Sequence, residues 1–418
     1  MTAGMTPIQA AGGVDWIGTI PSHWSLIAVK RVAMLKSGDT ISADSVVSDG
    51  TYPVYGGNGF RGYTDRFTHE GNYLLIGRQG ALCGNINYAS GQFWASEHAI
   101  VVTLTKTVSQ GWLGYVLMAM DLNRYSLSAA QPGLSVETIK NLLIPLPPPA
   151  EQRAIADFLD RETAKIDALI ATQERLIALL DEKRQATITQ AITKGLDPTA
   201  PMKDSGVEWL GPVPANWGVL PLKRCCRIPN GLVDPAVGRY ATLSLIAPNH
   251  IQSGTGRLLE VETADDQGAI SGKYHFAEGT VLYSKIRPAL RKACVAPFEG
   301  LCSADMYPIY STKIMPRLLL YQLLSDWFSN FAILASDRVA MPKVNRETIG
   351  DFLMVVPPSA EQEVIVRYVD EAVAEINRLR DRSVEVIERL RERRAALITA
   401  AVTGQIDVSR PAITEAAE

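Results

Sequence analysis

The sequence has few cysteines and few histidines, and it has no long apolar run. The five cysteines are odd in number, lack C-x-x-C spacing and lie at positions 83, 225, 226, 294 and 302. This pattern argues against a disulfide framework and against a zinc site, and it favours a reducing cytoplasm. No window approaches the roughly 18 uncharged apolar residues of a membrane span, and residues 1–13 lack the pattern of a secretory signal. We therefore expect a soluble, cytoplasmic protein that binds no metal and no membrane.

The sequence also lacks an excess of positive charge. It contains 41 lysines and arginines and 44 aspartates and glutamates, which gives a formal net charge of −3. Because phosphate contacts supply much of the affinity of proteins for DNA, the total charge alone does not indicate a nucleic-acid partner. The acidic excess lies in residues 150–197 and 359–407, whereas residues 198–358 are mildly basic.

Sequence motifs of catalysis are missing as well. The chain has no Asn/Asp-Pro-Pro-Tyr/Phe motif, which marks adenine methyltransferases. Residues 268–274 are superficially similar to a phosphate-binding loop, but the segment is one residue too short and has Tyr274 where Ser or Thr would bind magnesium. The histidines are scattered without ligand spacing. We therefore expect a protein that is not itself an enzyme.

What the sequence does contain is one unit that occurs twice. The opening Asp15-Trp16-Ile17-Gly18 recurs 193 residues later as Glu208-Trp209-Leu210-Gly211. The proline-rich stop Pro147–Gln152 recurs 210 residues later as Pro357–Gln362, so the second copy is about 17 residues longer. The middle parts of the copies differ, and short β-rich runs such as Tyr73–Ile76 alternate there with Gly/Asn turns.

This order predicts an α+β fold with an internal pseudo-two-fold repeat, in which two mixed α/β domains are joined to two long antiparallel helices. We expect a first domain at 1–148, a central helix at 149–197, a second domain at 198–357, a C-terminal helix at 358–407 and a tail at 408–418. Divergence of the middle parts suits a protein that needs two different specificities on one scaffold.

The two helical segments carry a matching apolar stripe. Apolar residues recur at helical spacing after each proline-rich stop, and the same positions are apolar 210 residues later: Ile155, Leu159, Ile166, Leu169, Leu176 and Leu180, then Ile365, Val369, Ile376, Leu379, Val386 and Leu390. The stripe is narrow and close to a heptad, so each helix needs an apolar partner. The simplest partner is the other helix, packed antiparallel, although ordinary core helices of a larger domain are an alternative. Some 40 residues form a rod of roughly 60 Å.

Several segments together resemble a known family. They are the Trp-x-Gly-x-x-Pro-x-x-Trp openings, the stops "PLPPPAEQ" and "VPPSAEQ", and the runs "YPVYGGNGF", "LIGRQGALCG" and "LYSKIRPALRKA". In their twofold order, from about residue 15 to residue 407, they resemble the specificity subunit of type I restriction–modification systems.

The resemblance implies a function that composition does not indicate. Each domain would be a target recognition domain that reads one half of a split site in double-stranded DNA. The helices would act as a spacer and would dock two adenine-methylating modification subunits, which bind S-adenosylmethionine, while this chain holds no cofactor. Restriction subunits with motor and nuclease activity would join for cleavage. A coiled-coil scaffold and a stand-alone DNA-modifying enzyme remain alternatives.

Candidate DNA-binding residues lie in Gly-flanked or basic segments of the two domains. Arg presents paired donors to guanine, and Asn or Gln pairs with adenine. In the first domain these residues are Asn58, Arg61, Arg78 and Gln79, and in the second they are Lys285, Arg287, Arg291 and Lys292. Plain turn chemistry and a solvated basic face are the ordinary alternatives. The alignment of the two copies also pairs residues 94–98 with residues 302–306.

Overall fold

The computed structural model describes residues 5–7, 16–80, 82–126, 133–336 and 342–408. Residues 1–4 and 8–15 of the expected first domain, and residues 409–418 of the expected tail, lie outside them. The chain forms two compact units. Unit 1 comprises Met1–Glu174 and Val384–Glu418, and unit 2 comprises Arg175–Ser383. The boundaries fall within the two long helices, so each unit contains a globular body and parts of both helices.

Proline and small polar residues set the starts of the helices. Pro149 and Pro316 lie in the first turn of a helix, where a missing backbone N–H costs nothing. Ser109, Ser135 and Asn345 each accept a hydrogen bond from a backbone N–H of the turn that follows. Within the described residues the α-helices are α1 Gln110–Ala119, α2 Val136–Asn141, α3 Pro149–Lys194, α4 Leu222–Cys225, α5 Pro316–Leu323, α6 Asp326–Ala335, α7 Arg346–Asp351 and α8 Ser359–Val402.

The body of unit 1 is built mainly on two four-stranded sheets. Its strands are β1 Met5–Pro7, β2 Thr19–Pro21, β3 Ser25–Ala28, β4 Ala33–Ser37, β5 Tyr52–Gly56, β6 Gly59–Thr64, β7 His69–Glu70, β8 Tyr73–Gly77, β9 Ile86–Ala89, β10 Gln92–Ala95, β11 Ala99–Leu104 and β12 Leu143–Leu146. One sheet has the order β4-β11-β8-β9 and is antiparallel. The other has the order β6-β5-β10-β7, in which β10 runs parallel to β5. Two-stranded sheets β1-β2 and β12-β3 complete the body.

The body of unit 2 repeats this topology although its sequence differs. Its strands are β13 Met202–Asp204, β14 Pro212–Pro214, β15 Gly218–Pro221, β16 Cys226–Arg227, β17 Leu245–Ile246, β18 Tyr274–Phe276, β19 Val281–Ser284, β20 Ala293–Val295, β21 Gly300–Cys302, β22 Met306–Ser311 and β23 Leu353–Val356. The antiparallel sheet β16-β22-β19-β20 corresponds to β4-β11-β8-β9. The sheet β17-β21-β18 again contains one parallel pair, β17 with β21. The mixed α/β bodies predicted from the repeat are confirmed.

Each body has its own apolar core. In unit 1 the side chain of Trp112 on α1 is fully buried against the sheet that contains Ile76 and Ile100. In unit 2 Phe328 on α6 and Tyr283 on β19 have equivalent roles. Among the described residues no single helix is long and apolar enough to cross a membrane, and only the bent pair α5 and α6, taken together, meets that criterion.

The long helices bury one stripe, but it is not the whole stripe predicted from the sequence. Eight of the twelve predicted residues are buried or partly buried, and the other four are exposed over 40% to 52% of their surface: Leu169, Leu176, Leu379 and Val386. The prediction that these four pack in the helix pair is wrong. Their neighbours Ile170, Ile177 and Ile387 take the inner positions. Adjacent apolar pairs offer a helix two possible faces, and the inner row keeps a heptad spacing in a different register from the predicted one, at residues 159, 163, 166, 170, 173, 177 and 180 and again 210 residues later.

Ion pairs show that the helices run antiparallel within unit 1. The guanidinium of Arg394 on α8 lies 2.9 Å from the carboxylate of Asp167 on α3. The guanidinium of Arg391 lies 3.4 Å from the carboxylate of Glu174. Residue numbers rise along α3 as they fall along α8, so the two helices are antiparallel, as predicted.

Candidate nucleic-acid interface

The candidate residues of both units lie in equivalent connections of the two bodies. In unit 1 the backbone N–H of Arg78, just after β8, donates to the carbonyl of His98, and the carbonyl of Arg78 accepts from Leu134. In unit 2 the backbone N–H of Lys285, just after β19, donates to the carbonyl of Asp305, and the carbonyl of Lys285 accepts from Val344. Arg78 and Lys285 therefore occupy the same place in the fold.

The same hydrogen bonds correct the predicted alignment of residues 94–98 with residues 302–306. Ser96 donates from its backbone to the parallel strand β5, and Ser303 donates in the same way to β17. Ser96 is thus the counterpart of Ser303, whereas the sequence alignment paired it with Ala304. The prediction was wrong by one residue, because the short runs between strands contain no marker that fixes the register.

Four side chains form a polar surface in unit 1, which we call the amide surface: Asn58, Gln79, Asn85 and His98. The Asn85 amide donates to the Asn58 carbonyl oxygen over 3.3 Å. The His98 Nδ1 lies 2.8 Å from the Gln79 Oε1. Asn58, Gln79 and Asn85 are exposed. The surface therefore presents amide groups from the β5–β6 turn and the β8–β9 connection beside the end of β10.

Close approach of two backbones brings these segments together. A Cβ atom on Gly57, in the β5–β6 turn, would lie 2.7 Å from the carbonyl oxygen of Gln79. Only glycine permits that distance. The two predicted arginines flank this surface. Arg78 is half-buried and donates to the carbonyl of Glu97 over 3.4 Å, whereas Arg61 is exposed.

The corresponding surface of unit 2 contains cations instead of amides. The Lys285 Nζ lies 5.4 Å from the centre of the Tyr307 ring, and the Arg346 guanidinium lies 5.5 Å from the same ring. Arg346 also donates to the hydroxyl of Tyr274 over 3.2 Å. We call Lys285 and Arg346 the cation pair. In the part of the chain that the structure describes, neither of them has a carboxylate partner within 4.0 Å.

The other predicted cations of unit 2 differ in their environments. Arg287 is exposed, but Arg291 lies 2.5 Å from the carboxylate of Asp326, and Lys292 donates to the carbonyl of Pro248 over 2.7 Å. Arg287 and Arg291 both have left-handed backbones, with φ of 47° and 46°. Such strain costs about 1–2 kcal/mol per residue outside glycine and is concentrated at functional sites. The charged ends of Arg291 and Lys292 are thus engaged within the unit, and DNA contact by all eight predicted residues stays a prediction.

Sequence reasoning missed three residues of these surfaces. Asn85 and His98 join the amide surface only because β9 and β11 return to the end of β8. Arg346 lies in the first turn of α7, where unit 1 has Val136, so a search for residues that the two copies share does not reveal it. A search for cations at positions where the copies differ would have found Arg346.

The buried phenol and thiol groups near these surfaces are held in their protonated, unreactive forms. Burial raises the pKa of the Tyr307 phenol, and the neighbouring Arg346 charge opposes that rise only in part. All five cysteines are free and buried. Burial raises the pKa of the Cys226 and Cys294 thiols to about 12, which disfavours the reactive thiolate.

Comparison with known proteins connects this geometry to a family. A family model described as the type I restriction modification DNA specificity domain matches residues 21–178. The type I restriction enzyme EcoDI specificity subunit of Escherichia coli is 29% identical over 376 residues, which are 85% of this chain and 83% of that protein. Over most of its length the chain is therefore similar to the specificity subunits of type I restriction–modification systems. The resemblance noted in the sequence is thereby confirmed.

Other similarities agree with this family. The EcoprrI specificity subunit of Escherichia coli is 42% identical over 135 residues, which are 31% of this chain and 34% of that protein. A solved chain from a study of complex assembly and conformational transition in the type I R-M system has a TM-score of 0.68 at 15% identity. That similarity covers 93% of this chain and 99% of the solved chain, and it supports the α+β fold.

Proposed function

We propose that each unit of this specificity subunit reads one half of a bipartite target in double-stranded DNA. The observation that carries the proposal is the equivalence of the Arg78 and Lys285 positions. The same connection of the same sheet begins with a cation in both units, but in unit 1 side-chain amides lie around it, whereas in unit 2 a second cation, Arg346, lies on the same ring as Lys285. A repeated backbone with different chemistry at one place is what an asymmetric, two-part DNA sequence requires.

The two surfaces suit different contacts with DNA. Side-chain amides pair with the N6 and N7 atoms of adenine in the major groove, so the amide surface suits an adenine-containing half-site. The cation pair has no internal counter-ion among the described residues and suits a backbone phosphate, which fixes register without reading sequence. The exposed Arg287 is the best placed residue of unit 2 to read guanine.

The long helices and the partner subunits complete the proposal. The relatives are specificity subunits of restriction enzymes, and this supports a complex in which modification and restriction subunits act beside the DNA. In our proposal, α3 and α8 set the gap between the half-sites and dock two modification subunits. Those subunits bring S-adenosylmethionine and catalysis, so this chain needs no cofactor and catalyses nothing. DNA as the partner and the free thiols suit a cytoplasmic location.

A domain exchange tests the two-reader proposal. Residues 15–148 are replaced by the corresponding residues of a relative, and methylated adenines are mapped in the DNA of cells that carry the complete system. We expect one half-site to change while the other half-site and the gap stay the same. A change in both halves, or in neither, contradicts the proposal. The purified chain with DNA and S-adenosylmethionine should transfer no methyl groups, and activity without partners contradicts the non-catalytic role.

A further inference from the structure

The first turn of each long helix is tied to its own body by a Glu-Gln pair. In unit 1 the Glu151 carboxylate accepts from the Trp24 indole over 2.8 Å and lies 2.9 Å from the His23 Nε2. The Gln152 side chain, 1% exposed, accepts from the backbone N–H of Ser109 and donates to the carbonyl of Pro147, both over 2.9 Å. Two neighbouring side chains therefore join three separate segments of the body to α3.

The Glu-Gln pair of unit 2 makes the same bonds with different partners. The Glu361 carboxylate accepts from the Trp217 indole over 2.7 Å. The Gln362 side chain, 2% exposed, accepts from the backbone N–H of Met315 over 2.7 Å and donates to the carbonyl of Pro357 over 2.8 Å. Ser109 and Met315 are the residues that precede α1 and α5. In both units the glutamine thus ties the long helix to the start of a core helix.

A second tie lies farther along each helix. In unit 1 the Tyr115 hydroxyl on α1 donates to the Asp160 carboxylate over 2.7 Å. In unit 2 the Tyr321 hydroxyl on α5 donates to the Asp370 carboxylate, which also pairs with Arg317. Eight residues of helix separate the glutamine from the aspartate, a distance of about 12 Å. A rod that is held at two such points cannot pivot on its body.

Hydrogen bonds add direction to the apolar packing at these points. The hydrophobic effect itself has no direction. Hydrogen bonds weaken steeply away from their best distance and angle. Removing a partner also leaves a buried donor or acceptor unpaired, which opposes any small rotation.

We infer that Glu151, Gln152 and Asp160, with their counterparts Glu361, Gln362 and Asp370, are positioning residues. They fix the direction in which each long helix leaves its body. In the complete specificity subunit they thereby set how strictly the gap between the two half-sites is enforced. This inference rests on the proposed function, because a gap has meaning only for a chain that reads two half-sites.

The test removes hydrogen bonds between the long helix and its body without creating a cavity in the apolar core. The variant Tyr115→Phe deletes one hydroxyl, and the double variant Tyr115→Phe with Glu151→Gln also removes the charge at the first turn. The control is Glu162→Gln, which breaks an ion pair between Glu162 and Lys165 on the same helix and removes no hydrogen bond to the body among the described residues. The full chain with its modification subunits is titrated with duplexes that carry both half-sites at the native gap or at a gap one base pair longer or shorter.

We expect the wild type and the control to prefer the native gap strongly. In Tyr115→Phe this preference should fall about fivefold, the factor that corresponds to one hydrogen bond of about 1 kcal/mol, and it should fall further in the double variant. Affinity for duplexes with a single half-site should not change. A folded Tyr115→Phe protein with the full gap preference overturns the inference. If the double variant does not fold, Tyr321→Phe in unit 2 replaces it and must give the same loss. A wild type without any gap preference refutes the proposed function instead.

Discussion

Removing the cation pair should weaken the salt dependence of DNA binding by a calculable amount. In the double variant Lys285→Gln, Arg346→Gln the two groups beside the Tyr307 ring lose their charge. If together they neutralise one phosphate, the slope of log affinity against log salt should fall by about 0.9. A difference of about 0.9 in slope corresponds to a factor of about 3.5 in affinity between 50 and 200 mM salt. Over this range the loss of affinity should therefore be about 3.5-fold smaller for the variant than for the wild type.

The structure also predicts that this variant folds. Cation–π contacts at accessible positions contribute about 0.5–1 kcal/mol each. Two like charges on one ring also repel each other, and neither has a carboxylate partner among the described residues. Urea unfolding should therefore show a loss of no more than about 3 kcal/mol, because the two ring contacts contribute at most about 2 kcal/mol and the bond to Tyr274 about 1 kcal/mol.

The assay is fluorescence anisotropy of a random-sequence duplex, titrated with the full chain at four salt concentrations. Lys165→Gln is the matched control, since it removes one cation from the surface of α3, and its slope should equal that of the wild type. Arg346→Lys keeps the charge and should keep the slope. An unchanged slope in a folded double variant refutes the reasoning, because the pair would then hold no phosphate.

Three further predictions follow from the geometry. Gln79→Ala should lower affinity for the first half-site by about 1–3 kcal/mol and relax sequence preference there, whereas competition titrations with second half-site duplexes should show no change. Inserting four residues near Leu176 lengthens α3 by about 6 Å, so mapped methylation should show a longer gap with both half-sites intact, and an unchanged gap refutes the role of the helix as a spacer. Burial, only partly opposed by the Thr163 hydroxyl, raises the pKa of Tyr115 to about 12. Its contribution to stability is therefore complete below pH 10 and is lost as pH rises to 12, and Tyr115→Phe should show a smaller fall in melting temperature over that range.

Sequence periodicity predicted the larger elements because their causes are local. Proline at a helix start and an apolar repeat lie in the chain itself, so α3 and α8 could be placed within a few residues. The choice between Leu169 and Ile170 as the inner residue could not be made in this way. Both are apolar neighbours, and the packing of the whole helix decides which of them faces inward.

The chemistry of the two surfaces was harder to predict because it depends on partners that are distant in sequence. Arg291 and Lys292 belong to a basic run that indicates DNA contact, yet the fold brings Asp326 and the carbonyl of Pro248 to their charged ends. No local pattern in the run shows those partners. For Arg346 the reverse holds. It belongs to no basic run in the sequence, and only the fold places it on the Tyr307 ring beside Lys285.

The surroundings of the cation pair show how the middle parts of the two copies differ at equivalent positions of one sheet. The hydrogen bonds of the shared sheet make Tyr307 the counterpart of Ile100, and Arg346 the counterpart of Val136. In unit 1 these positions are apolar and pack in or against the core, so they need no polar partner. A tyrosine there needs a hydrogen-bond acceptor, and its hydroxyl reaches the carbonyl of Val344 over 3.3 Å. Its ring in turn contacts the two cations. The three side chains of unit 2 therefore form one connected group, whereas the counterparts of Tyr307 and Arg346 in unit 1 are apolar, so replacing Tyr307 alone would leave both cations without this contact.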